Sequence, residues 1–400
     1  MNISKSKLQT IVCSLIIATL FGCNSSNSNS NSNSNSNSNS NSNSNSNVKP
    51  NSVMQQSNKP KANYVFNKAK KDELLVERNE VIQSSSLTFS GETYSPSFAT
   101  VREDNKKNKI IFLLMKSKKS GSDIVLQVPR KPQTNDICRI YTTGGDYYEF
   151  DCSSKQVNVN DDMIYYSGLY TKQSPQAKAI TTNTKDFTLE LHQYLQVIGS
   201  TQLNLAMNGS VATITTSNPY RDFGAGIDST DLGVTTYTQL EKLLIAPVLG
   251  KETTLVFDTP IDGSSDDDIN MYTGLLIQDK GLHTKVSKTG SVFSGGTDLF
   301  TAGKTRTLEL NDPNVPAEKN KQVGVHSWSE DDEKTGKTVE ATNIPYTNES
   351  HRAQATYFQR TLGDKGIDFY LFTLKSAPAE GAHYMTRSEL ESYRVTTSIQ

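Results

Sequence analysis

"TTLVFDTPIDGSSDDDINMYTGLLIQDKGLHTKVS", residues 253–287, is the stretch whose reading decides the fold. It begins with "TTLVFDTP", a continuous apolar run of the kind buried on both faces in a parallel sheet. "SSDDDINMYTGLLIQDKG" then opens with Ser and Asp, which suit a helix N-cap, and closes on Gly281, which suits a C-terminal turn. "LHTKVS" follows as a second strand. Strand and helix in alternation predict an α/β fold with a mainly parallel sheet.

The same rhythm runs from about residue 205 to the end of the chain. "SVATITTS" reads as a strand, and "TYTQLEKLLIAPVL" as a helix with Leu240, Leu243, Leu244 and Val248 at apolar spacing. "SGGTDLFTAG" is a turn into a helix, "RTLEL" and "QVGVHSW" are strands, and "ESHRAQATYFQRTLG" is a helix.

Residues 61–200 read differently. A charged amphipathic helix over 65–82 precedes short β-rich runs, from "SLTFSGETY" to "FTLELHQYLQVI", and predicts a mostly antiparallel β domain. "KKNKIIFLLMKSKK" holds only six apolar residues between lysines, which is a buried strand and not a membrane span. Cys138 and Cys152 flank two β runs joined by Thr-Gly-Gly-Asp, a hairpin signal. In an oxidising compartment the expectation is a disulfide across that hairpin.

At the N-terminus, Lys5 and Lys7 precede a short apolar run from Ile11 to Phe21, which fits an export signal better than a membrane span. Leu20-Phe21-Gly22-Cys23 resembles the bacterial lipobox. The resemblance implies a signal peptide over 1–22, lipidation of Cys23 and, with Asn24 next, sorting to the outer membrane with the globular part in the periplasm. The Asn-Ser alternation that follows, within a tether over 23–60, has no apolar residue with which to offset the entropy of ordering. As a flexible chain it would hold the globular part about 25–30 Å from the membrane. The net charge of −1 gives no basic footprint for nucleic acid.

Four segments of residues 205–400 resemble the Clp protease/crotonase superfamily, with periplasmic Clp-protease-like serine hydrolases and signal peptide peptidase A as relatives. They are "LVFDTPIDGSSDDD", "GLLIQDKGLHTKVSKTGSVFSGGTDLFTAG", "QVGVHSW" and "HYMTRSELESYRVTT". The resemblance implies repeated strand-helix units and a serine hydrolase, acting on a peptide or protein substrate without a cofactor or metal. A homo-oligomer is compatible with it. By carry-over Ser294 is the nucleophile and His326 the base that a serine hydroxyl needs. The amide of Gly295 is one oxyanion donor, and the turn at Asp262 or Gly263 supplies the other. Asp262 stands where the family has glycine, so its side chain must point away or the oxyanion hole is altered.

No acid occupies the family's third position, which falls at about residues 376–378. Glu380, Ser376 or a backbone carbonyl are the substitutes, with Asp298 one helical turn beyond Ser294. A Ser–Lys dyad with Lys337 is the competing arrangement, but "SEDDEKTGK" looks solvated, whereas a catalytic lysine needs burial. An acyl-ester or thioester hydrolase, and a non-catalytic envelope scaffold on the same fold, are the alternative functions.

Three lesser motifs fail on spacing. "AGKT" has Asp298 where a phosphate loop needs glycine, and "SVFSGG" has Val292 where a Gly-x-Ser-x-Gly elbow needs its first glycine. "DGSSDDD" is a helix cap more economically than a calcium loop. Nothing in the spacing of His326, His351 and His383 favours a metal.

Overall fold

The computed structural model describes residues 58–132, 136–157, 163–170, 186–245, 252–331 and 337–400. The expected signal peptide, Cys23 and nearly all of the tether lie outside the described residues. No helix among those described is long and apolar enough to cross a membrane.

The N-terminal half is a closed antiparallel barrel. Its strands are β1 (Ser86–Phe89), β2 (Glu92–Glu103), β3 (Lys109–Ser117), β4 (Asp123–Pro129), β5 (Ile137–Tyr141), β6 (Tyr147–Val157), β7 (Met163–Tyr170) and β8 (Asp186–His192). Each pairs with the next, and β1 closes the ring on β8 with Leu87 opposite Leu189. Strand β3 shows why its sequence is apolar without alternation. Ile111, Leu113 and Met115 fill the barrel, while Phe112 and Leu114 pack outside it with Tyr220, Phe223 and Ile227 of the other half. β5 and β6 form the hairpin read from Thr-Gly-Gly-Asp, and Cys138 and Cys152 form a disulfide with Cα atoms 5.5 Å apart.

The C-terminal half starts with β9 (Gln202–Asn208), β10 (Val211–Ser217), β11 (Thr230–Leu232) and α1 (Val234–Leu244). β12 (Thr254–Phe257), β13 (Pro260–Ser264) and α2 (Asp267–Asp279) follow, then β14 (His283–Val286), β15 (Ser291–Phe293) and α3 (Gly295–Thr301). β16 (Arg306–Leu308) and β17 (Val323–Val325) repeat the strand pair, with a short helix over Ala317–Asn320 between them. β18 (Ser329–Asp331) and β19 (Thr338–Glu340) make a hairpin; α4 (Glu349–Leu362), α5 (Gly366–Ser376), β20 (His383–Tyr384), α6 (Arg387–Ser392) and β21 (Ser398–Ile399) complete the chain.

Apart from the β18–β19 hairpin, these strands form two sheets, where the sequence predicts one. The first has the order β21-β16-β14-β12-β10-β9 and the second β11-β13-β15-β17-β20. Each repeat places one strand in the first sheet, the next in the second, and then a helix. Pairing is parallel apart from the edge strands β9 and β20. "PIDGS" therefore is a strand, although its Pro, Asp and Gly read as a turn. Pro260 sits at the strand's first position, where its missing N–H is tolerated.

A helix over Lys68–Ser84, capped by the Asn67 side chain, ties the halves together. Its Arg78, almost wholly buried, donates through Nε to Asp266 at 2.6 Å, and Asp266 is the N-cap of α2. Just ahead of that helix, Phe66 meets Tyr272 edge-on at 5.4 Å.

Candidate active site

Ser294 joins β15 to α3 and has φ 52° with ψ −122°. A non-glycine residue there is strained, and such strain persists only where its surroundings enforce it. The enforcement comes from β17. The Ser294 N–H donates to the Gly324 carbonyl at 3.1 Å, and Thr297 Oγ1 donates to the same carbonyl at 2.7 Å. The local form is a strand, a sharp turn at the serine, and a helix. That is the geometry of a nucleophile elbow, reached without the glycine the usual motif carries before it.

His326 follows directly on β17, so the contacts that fix the serine also set the distance to the histidine. Ser294 Oγ and His326 Nε2 are 2.8 Å apart. Behind the ring, Nδ1 lies 2.6 Å from the Ala379 carbonyl oxygen. A carbonyl only accepts, so Nδ1 must carry the proton and Nε2 must present its lone pair to the serine O–H. Burial pushes the imidazole below its usual pKa, opposed by the bond to Ala379. Phe293 stacks on the ring at 4.8 Å between centroids, beneath the imidazole and not as a wall of the adjoining cavity.

The side-chain candidates for the third position do not take it. Glu380 is exposed, and Ser376 Oγ donates back to the Phe372 carbonyl at 2.7 Å within its own helix. The polypeptide around Ala379 is instead anchored by Glu340, whose carboxylate accepts from the Ala379 N–H at 3.2 Å. Lys337 is exposed immediately before β19, while the Ser294 hydroxyl has His326 as its partner. His351 is a buried core residue with Tyr370 Oη 2.7 Å from its Nδ1, and His383 Nε2 meets Glu389 at 3.0 Å.

Gly263 and Gly295 crowd the serine from two sides. Gly263 has φ 153°, a region essentially reserved for glycine, and an added Cβ would lie 3.4 Å from Ser294 Cβ. A Cβ on Gly295 would lie 2.4 Å from Ser264 Cβ, so the end of β13 and the start of α3 approach only because this residue is glycine. The Asp262 side chain turns away from this point. It accepts from Ser229 and faces Arg102 of β2, whose Nη2 is 3.4 Å away. Burial raises its pKa to about 6 against the pull of Arg102.

A cavity of about 40 Å³ opens beside Ser294 and His326. Two carboxyls line it: Asp267, the first residue of α2, and Asp298, one turn into α3. Burial, reinforced by neighbouring acids, raises Asp267 to about 7, and burial with Asp267 raises Asp298 well above the usual range. Asp298 was already a candidate from its place one turn beyond Ser294, but the part of Asp267 was hidden in the sequence by the Asp266–Asp268 run, which reads as a helix cap. Asp266 alone caps, which leaves Asp267 to face inward.

No family model matches the chain, and a comparison with curated proteins finds no match. Among solved structures it is similar to enoyl-CoA hydratases, members of the crotonase superfamily. One from Geobacillus kaustophilus is 10% identical with a TM-score of 0.31, over 50% of this chain and 70% of that one. One from Bacillus anthracis is 11% identical with a TM-score of 0.30, over 50% and 69%. A putative one from Streptomyces avermitilis is 15% identical with a TM-score of 0.31, over 50% and 67%.

Proposed function

We propose that the protein is a serine hydrolase of acyl bonds, with peptides as its substrate class and Ser294 as its nucleophile. The observation that carries the reading is the chain Ser294–His326–Ala379 carbonyl, with a tautomer that leaves Nε2 able to take the serine proton. In the first step the Oγ–carbon bond forms as the proton passes to Nε2. The amides of Gly295 and Gly263 receive the oxyanion. Nε2 then returns the proton to the leaving amine, and water repeats the sequence on the acyl-enzyme. A non-catalytic scaffold would gain nothing from a serine held at positive φ against a half-buried histidine.

We propose also that the chain belongs to the bacterial envelope, attached through lipid on Cys23; the lipobox-like Leu20-Phe21-Gly22-Cys23 supports this. A fluorophosphonate probe tests the chemistry. We expect labelling of the intact protein, loss in Ser294→Ala and strong reduction in His326→Ala. Failure of the probe to label, or labelling that survives Ser294→Ala, would overturn the assignment.

A further inference from the structure

The cavity beside Ser294 has a composition that the acyl-transfer chemistry does not use. Val325, Trp328 and Phe358 give it apolar walls, and Asp267 and Asp298 face into it. Gln354 of α4 also lines it, is 9% exposed, and its side-chain amide has no hydrogen-bond partner among the described residues. Two carboxyls and an amide thus converge on one space; Asp267 has Ser264 as a hydrogen-bond partner, while no partner meets the Asp298 carboxyl or the Gln354 amide among the described residues, at a cost that a ligand's donors would relieve. The neighbouring polar groups are already engaged. Trp328 Nε1 donates to Tyr370 Oη at 2.9 Å, and Thr373 Oγ1 donates to the Tyr370 carbonyl at 2.8 Å.

We propose that this cavity is a specificity pocket for an ammonium-tipped aliphatic chain, such as the lysyl side chain of a peptide, held by Asp267, Asp298 and Gln354. The sign of the ligand follows from the lining. No Lys or Arg is among the residues lining the cavity, so an anion would meet two acids without a counter-charge. A purely apolar side chain would leave Asp298 and Gln354 unmatched and Asp267 with Ser264 alone. An ammonium has three donors for the three acceptors, and its methylenes fit the Val325 and Phe358 walls. The size points the same way: about 40 Å³ holds about three waters, which suits an unbranched chain and excludes an aromatic ring. The carboxyls, held largely protonated when empty, ionise as the cation enters.

Its assignment to a substrate's side chain rests on the hydrolase reading, so the test has one arm that needs no catalysis. Calorimetry on the purified protein and on Ser294→Ala should show saturable binding of n-butylammonium and none of 1-butanol. Asp267→Asn and Asp298→Asn should each weaken it by about tenfold or more. Both exchanges are near-isosteric and remove acids that burial disfavours, and thermal melting of each variant checks the fold. In the second arm, fluorogenic peptides with lysine or norleucine before the scissile bond are compared. The kcat/KM ratio should favour lysine by about tenfold or more and fall towards unity in either variant. If n-butylammonium does not bind, or binds the variants as it binds the wild type, the pocket is refuted even where Ser294 takes the fluorophosphonate. Binding with an unlabelled Ser294 would uphold the pocket and refute the hydrolase.

Discussion

Replacing Arg102 by methionine should damage the site from the barrel side of the junction between the two halves. Arg102 lies on β2, yet its guanidinium serves the other half of the molecule. Nη1 donates to Asp231 at 2.8 Å, Nη2 donates to the Ser229 carbonyl at 2.9 Å, and Asp262 is 3.4 Å from Nη2. The Arg102 side chain is 13% exposed and that of Asp231 8%, so removing the cation strands a buried carboxylate. Breaking such a pair costs about 3–5 kcal/mol, and methionine keeps the stem's packing, so this charge effect dominates. Asp262 adds a pH dependence. Its folded pKa of about 6 is already above the unfolded value, so stability falls as pH rises through that range. Without Arg102 that pKa rises further. The loss in Arg102→Met should therefore be smaller at pH 5 than at pH 8, where the unpaired carboxylate must ionise. Because Asp262 precedes Gly263, kcat/KM should also fall, by about 10- to 100-fold for a displacement near 1 Å. Urea denaturation at the two pH values provides the assay, and Asp262→Asn added to Arg102→Met should recover part of the loss. An unchanged midpoint at pH 8, or a loss equal at both pH values, would refute the reasoning.

With His326 as a base that must be neutral, activity should fall as pH drops through a midpoint below the usual histidine value, since burial lowers the pKa; a pH profile of kcat/KM reads it directly. Gly295→Ala drives a Cβ against Ser264, which should cost about 1–3 kcal/mol and lower labelling of Ser294, measured by melting and by probe kinetics. Replacing both Cys138 and Cys152 by alanine opens a loop with a sequence separation of 14 and should cost about 3 kcal/mol in chemical denaturation. Cys23→Ser should release the protein from membranes with an unchanged melting temperature, checked by fractionation and calorimetry.

The sequence was most readable where burial imposes a continuous pattern. β3 lies within the apolar run between lysines that announced it, because a closed barrel needs long strands with an inner face. Closure itself left no local mark, since it resides in the pairing of β1 with β8 across the whole domain. The second sheet was hidden for the opposite reason. β11 and β15 are three residues each, too short to show a period, and β13 is written in turn-forming residues, so β17, read as a strand in "QVGVHSW", had no visible partners. The proximity of Ser294 and His326 could be anticipated from the resemblance. Its third partner could not be assigned among the candidates, because the Ala379 carbonyl is main chain and carries no side-chain signature.

In the hydrolase reading, the main-chain carbonyl changes what the site loses by lacking a third acid. Disturbing that acid in a serine triad costs on the order of 10⁴ in rate when the result is the wrong histidine tautomer. Here the tautomer is preserved, since Ala379 accepts from Nδ1 as a carboxylate would. What is missing is the negative charge that stabilises the imidazolium once the serine proton has moved. Glu340 supplies one at a remove: its carboxylate holds the Ala379 N–H at 3.2 Å, on the residue whose carbonyl faces the ring. A charge set back in this way acts over a longer distance than a direct partner, and its Coulomb contribution falls accordingly. Burial meanwhile lowers the pKa of His326, which keeps the base unprotonated at neutral pH but makes the imidazolium dearer to form. The two effects add in the transition state, so the barrier should exceed that of a complete triad even with the serine already at hydrogen-bond distance.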